Sequence, residues 1–126
     1  MTAPTFLDKA QESLGAAQLL LQHGCANSAA NRSYYAVFHA ARAALIAARL
    51  VTAQQKWGHD AIQGQFQKLT RQKKIYPAYM NHDLSRLRAV REVADYHPDM
   101  VSSRTARDVV KTAAVFVTHV LRETQP

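Results

Sequence analysis

Cysteine is almost missing from this chain: Cys25 stands alone among 126 residues. A single thiol excludes an intramolecular disulfide and a cysteine cage for a metal. It follows Gly24 near a helix end, where a small buried side chain is the expectation. Glycine and proline are scarce, four of each, and there is no glycine-rich phosphate loop. With abundant alanine, that scarcity favours helices over a many-stranded sheet. No apolar run is long enough to cross a membrane, and the N-terminus lacks the basic-then-apolar pattern of a secretory signal. The expectation is a cytoplasmic protein. Acidic residues are few, 9 against 16 Lys and Arg, which gives a formal charge of +7. A surplus of that size in a small domain points to a polyanionic partner, most often nucleic acid. Arginine outnumbers lysine ten to six, and the guanidinium fork suits phosphate.

Hydrophobic residues make up 48% of the chain and charged ones 20%, the balance of one globular domain over residues 1–126. Apolar spacing predicts five helices. The first runs from about Thr5, a capping residue with Asp8 in the first turn, to His23, and Gly24 ends it. Phe6, Ala10, Leu14, Ala17 and Leu21 form its apolar stripe. The second runs from about Ser28 to Leu50, and residues 51–57 connect it to a third from about Gly58 to Lys73. Polar and basic residues dominate that third helix around Ile62, Phe66 and Leu69. A fourth, from about Ala78 to Tyr96, turns Tyr79, Leu84, Leu87, Val90 and Ala94 inward and stops before Pro98. The fifth begins near the capping pair Ser102 and Ser103. Its broad apolar face, from Ala106 to Leu121, predicts the central core helix or a dimer face. His23 and His119 read as helix-end or surface residues.

The second helix carries two stripes. Ala30, Tyr34, Val37, Ala41 and Leu45 are apolar. Beside them run Arg32, Tyr35, His39, Arg42 and Ile46, mostly with charged or hydrogen-bonding tips. A free surface face would carry Lys, Glu and Gln, so this pattern predicts a half-buried polar seam. The end of the fourth helix gathers Arg86, Arg88, Arg91, Asp95, Tyr96, His97 and Asp99. Arg88, Arg91 and Asp95 can share one helix face. Arg and His together can cleave RNA without a metal: His moves protons at the 2′-hydroxyl and the leaving 5′-oxygen, and Arg holds the phosphate. The same spacing also makes ordinary salt bridges. A metal-dependent reading would draw on His39, His59–Asp60, His82–Asp83 and Asp95 or Asp99.

Two motifs then align in order. Arg32, Tyr34, Tyr35, Phe38, His39, Ala40 and Ala41 read Arg-x-Tyr-Tyr-x-x-Phe-His-Ala-Ala. Arg91, Ala94, Asp95 and Tyr96 read Arg-x-x-Ala-Asp-Tyr, and Phe116–Val117 supplies an aromatic–Val pair in the last helix. On these residues the whole chain resembles the small stand-alone group of the HEPN family. The resemblance implies an all-α, up-and-down bundle of four to five helices that forms a homodimer. It further implies a metal-independent endoribonuclease acting on single-stranded RNA without a cofactor. The signature there is Arg, four to six residues, then His, which Arg91 and His97 satisfy. Arg32, His39, Arg42, Arg86 and Arg88 would bind RNA or nucleotide, supported by Tyr35, Asp95 and Tyr96. Active members often carry Asn or His after the arginine, where this chain has Glu92. The resemblance also implies a frequent partner, a minimal nucleotidyltransferase in toxin–antitoxin-like pairs. That leaves a second role open, a non-catalytic nucleotide- or nucleic-acid-binding subunit, with Tyr96 a candidate for modification by the transferase.

Overall fold

A computed structural model describes residues 5–73 and 75–124, without the side chain of Lys73. Among them are α1 (Phe6–Gln22), α2 (Ala26–Ala47), α3 (His59–Lys73), α4 (Tyr79–Tyr96) and α5 (Ser103–Thr124), with no strand. The fold is an all-α helical bundle, as the periodicities predict.

The helix ends follow local chemistry. Thr5 and Asp8 make a reciprocal capping box: the Asp8 N–H donates to Thr5 Oγ1 at 3.1 Å, and the Thr5 N–H to Asp8 Oδ2 at 2.8 Å. At the other end of α1, Gly24 takes φ +75°. The N–H groups of Cys25 and Gly24 return to the carbonyls of Leu20 and Leu21, which gives these last-turn acceptors partners beyond the helix. Helix α2 ends the same way. Leu50 and Arg49 donate to Leu45 and Ile46, and Arg49 takes the left-handed position with φ 62°. This cap stops α2 at Ala47 rather than Leu50. Ser102 caps α5 by accepting from the Thr105 N–H at 3.0 Å.

Helix α2 is the hub, and every other helix packs on it. Sequence periodicity favours α5 for that place, because its apolar stripe is broader. The deciding factor is side-chain size. Ala29, Ala36, Ala40 and Ala41 of α2 are fully buried, and alanine lets neighbouring backbones come close on several sides. Ala30, Tyr34, Val37, Ala41 and Leu45 form the expected buried stripe. Helix α5 buries Val109, Ala113, Phe116, Val117 and Val120, and packs on α2 and α1. Phe116 meets Phe66 of α3 at 5.5 Å between ring centroids. Burying a side chain of this size stabilises the fold by about 1.5–3 kcal/mol.

Three other expectations need correction. Cys25 is exposed, because it occupies the N-cap of α2, outside the packed turns. Tyr79 is 55% exposed. The inward stripe of α4 is Met80, Leu84, Leu87 and Arg91, and Tyr79 lies off it. His119 is half-buried rather than a surface residue. Its Nε2 lies 3.0 Å from the Ile75 carbonyl and its ring packs on Tyr76. Among the described residues, no helix is long and apolar enough to cross a membrane.

Candidate functional site

The inward stripe of α4 ends in a charge. Arg91 sits one turn after Leu87, where the pattern calls for an apolar side chain, and it is only 7% exposed. Its guanidinium carbon lies 5.4 Å from the Tyr34 ring, 5.9 Å from Tyr35 and 5.7 Å from Tyr96. Aromatic faces attract a cation and exclude water around it. Arg91 Nη1 approaches Asp95 Oδ2 at 3.4 Å, and its buried Nε has no partner. Burial opposes its charge, but Tyr35, Asp95 and Tyr96 outweigh it and hold the Arg91 pKa above the ordinary value. The guanidinium is a fixed, permanent cation with donors to spare.

Asp95 is tied to α2. Asn31 Nδ2 donates to both of its carboxylate oxygens at 3.0 Å, and Asn31 Oδ1 accepts from Arg32 Nε at 2.9 Å and Nη2 at 2.7 Å. Arg32 lies over the Tyr35 ring at 5.0 Å. Asn31, Arg32 and Asp95, with Asn27 and Ser28, line a cleft of about 430 Å³ between α2 and α4. The second stripe of α2 is therefore the predicted polar seam: Arg32, Tyr35, His39, Arg42 and Ile46 are all half-buried.

His39 and Arg42 occupy the α1 side of that seam. His39 stacks on Phe6 with centroids 5.9 Å apart, and Arg42 lies over the same ring at 4.1 Å. Arg42 also donates to the Gln55 carbonyl. Burial, then Lys9, Arg32 and Arg42, push the His39 pKa down to about 4. Its imidazole is neutral near pH 7 and a weak base.

The arginines of α4 diverge. Arg88 turns to α3, where it meets Asp60 at 2.5 Å and Gln63 at 3.3 Å, and it lies more loosely, at 3.9 Å, from Glu92 one turn on along α4. The carboxylate of Glu92 thus lies beside Arg88. Arg86 turns to α5 and pairs with Asp108 at 2.7 Å and Thr112 at 2.9 Å. The structure brings Arg32, Tyr35, Arg91, Asp95 and Tyr96 together, and leaves Arg86 apart. His97 caps α4 in an extended conformation, donates its N–H to the Val93 carbonyl and places Nδ1 3.4 Å from Asp99 Oδ2. Its side chain is 56% exposed, and no hydrogen bond joins it to Arg91.

A model of the HEPN domain matches residues 3–123 of the chain. The chain belongs to the HEPN family. HEPN proteins include ribonucleases and partners of nucleotidyltransferases, and HEPN domains often dimerise. A search of curated proteins finds no match. In this HEPN domain the Arg-x-x-Ala-Asp-Tyr motif has a clear physical sense. Asp95 links α4 to α2, while Arg91 and Tyr96 build the aromatic-lined cation.

His59 is the member of the site that sequence reasoning placed elsewhere, among metal ligands. Its Nδ1 lies 2.5 Å from the Tyr34 hydroxyl and its ring 4.7 Å from Phe38. Burial, then Arg88 and Arg91, lower its pKa. Burial pushes the Tyr34 phenol up to about 12. Among the described residues, no group of three or more His, Cys, Asp or Glu side chains comes together to hold a metal ion.

Proposed function

We propose that this HEPN domain binds single-stranded RNA and cleaves it without a metal, as a homodimer, using Arg91 and His97. The observation that carries this reading is the buried Arg91 guanidinium, ringed by three tyrosines and matched within its own helix by Asp95 alone. Such a cation holds a phosphodiester and stabilises the charge that grows on phosphorus in the transition state. Arg32 adds positive charge beside it, and Tyr96, 78% exposed, offers a face on which a base stacks. His97 is exposed at the helix end, free to move a proton at the 2′- or 5′-oxygen of a strand that Arg91 holds. Dimerisation supplies a second Arg91–His97 pair to the same groove.

A second reading is favoured by one observation: His97 pairs with Asp99 rather than with Arg91. On that reading the same cleft binds nucleotide or nucleic acid without turnover, as a subunit beside a minimal nucleotidyltransferase.

The deciding experiment incubates purified protein with a mixed single-stranded RNA pool in EDTA, alongside the His97→Ala variant, with oligomeric state measured on the same samples. Cleavage by the parent alone supports the nuclease. Folded, dimeric and inactive parent protein sinks it. Recovery of a small transferase from the native host would then favour the second role.

A further inference from the structure

We propose that His59, carried into the site by α3, is the general base of this HEPN domain and removes the proton from the attacking 2′-hydroxyl. The proposal rests on the nuclease reading above and divides its acid–base work, with His59 taking the 2′ proton and His97 protonating the 5′-oxygen.

The placement is tertiary. His59 opens α3, and its imidazole docks on three aromatic residues of α2. Nδ1 lies 2.5 Å from the Tyr34 hydroxyl, and the ring centroid lies 4.7 Å from Phe38 and 6.0 Å from Tyr35. Tyr34 is 1% exposed, so the hydroxyl that anchors His59 belongs to the core. The Arg91 guanidinium lies over the same Tyr34 ring, at 5.4 Å. One tyrosine therefore holds a histidine and borders the phosphate-binding arginine. That shared support fixes a catalytic pair better than a flexible surface would.

The protonation chemistry agrees. A phenol pushed up to about 12 keeps its proton near neutral pH, yet its oxygen still accepts a hydrogen bond. When His59 Nδ1–H donates to that oxygen, Nε2 on the far side of the ring keeps its lone pair. The groups around the imidazole are Tyr34 and Tyr35 from α2, Asp60 from α3, and Arg88, Arg91 and Glu92 from α4. Burial and the two arginines disfavour the imidazolium, and Asp60 and Glu92 offset them only in part. A neutral imidazole beside cations that attract phosphate is suited to accept a proton. His39 is not a rival: its pKa is near 4 and its ring is stacked beneath Phe6.

The step balances without a co-reactant. The 2′-hydroxyl proton passes to His59 Nε2 as the 2′-oxygen bonds to phosphorus. The bond from phosphorus to the 5′-oxygen breaks, and that oxygen takes a proton from His97. The products are a 2′,3′-cyclic phosphate and a 5′-hydroxyl, and the two histidines exchange protons with solvent before the next turnover.

The test compares wild type, His59→Gln, His97→Ala and Tyr34→Phe in EDTA on an oligonucleotide containing the mapped cleavage site. Two forms are used, one with the natural 5′-oxygen and one with a 5′-bridging sulfur, which leaves without protonation. His59→Gln should lose about 10²–10⁴-fold on both forms. His97→Ala should lose activity on the oxygen form and recover it on the sulfur form. The rise of wild-type rate through a pKa below the ordinary histidine value should vanish in His59→Gln. Tyr34→Phe keeps the core ring and cuts the hydrogen bond. It should lower kcat and move that limb with KM unchanged, which tests the proposal even if His59→Gln folds poorly. Wild-type rates in His59→Gln overturn the base while leaving the nuclease intact, as does rescue of His59→Gln by the sulfur form. Wild type inactive on both RNA pool and oligonucleotides overturns the nuclease reading and the base together.

Discussion

Asn31 donates its side-chain nitrogen to both oxygens of Asp95, at 3.0 Å each. It thereby fixes the carboxylate that Arg91 meets at 3.4 Å. The other end of the same amide takes two hydrogen bonds from Arg32. One neutral residue of α2 thus sets the positions of two arginines on two helices. Amide and carboxylate partners of this kind hold long side chains in one geometry, which an isolated surface ion pair does poorly.

Replacing Arg91 with Leu separates function from folding. Leu suits the Met80–Leu84–Leu87 stripe, and Asp95 keeps its bonds to Asn31. Removing one partner of a buried ion pair is costly when the other charge stays buried and unpaired, but Asp95 is 26% exposed and retains Asn31. We expect a urea unfolding free energy within about 1 kcal/mol of wild type, or above it, with RNA binding and cleavage lost. A variant that unfolds early would mean that the cation serves the fold first.

For His97→Ala we expect cleavage reduced about 10²–10⁴-fold, the usual size of an acid–base contribution. The melting temperature should stay unchanged, since the His97–Asp99 pair is exposed and worth little. Parallel melting curves and RNA gels check both halves of this statement.

Arg49 holds a left-handed conformation, φ 62°, at the end of α2. For a residue with a Cβ that costs roughly 1–2 kcal/mol. Glycine adopts it freely, at the cost of a more flexible unfolded chain. Arg49→Gly should therefore stabilise the protein by about 0.5–1 kcal/mol, read as a higher urea midpoint with unchanged slope.

Acid should weaken the fold through His39. Its folded pKa, about 4, lies below the unfolded value of 6.5. Between these values the unfolded chain binds a proton that the folded chain refuses. The stability His39 contributes is complete above pH 6.5 and falls away toward pH 4. His59, also lowered, adds a slope of the same sign. In His39→Gln the urea midpoint should fall less between pH 7 and pH 5 than in wild type.

Helix periods carried most of the architecture, since α1, α3, α4 and α5 each repeat apolar residues every three to four positions. The half-buried seam on α2 was also readable, because Arg, Tyr and His beside alanines do not make a free surface. Burial by small residues is harder to read. Alanine fits either an exposed or a crowded face, so the central place of α2 depended on what packs around it. His59 was hidden for a different reason. Its neighbours Tyr34 and Phe38 lie more than twenty positions away, and only the docking of α3 on α2 joins them. Arg86 and Arg88 differ by two positions, which on a helix sends them to opposite neighbours.

Cys25, exposed at the junction of α1 and α2, gives the molecule a native attachment point. Each chain carries this one thiol, so a single spin label or fluorophore can be placed without mutagenesis, two residues from Asn27 in the cleft wall. In a dimer, two such labels form a molecular ruler, and the distance between them reports how the two clefts face each other before and after RNA is added.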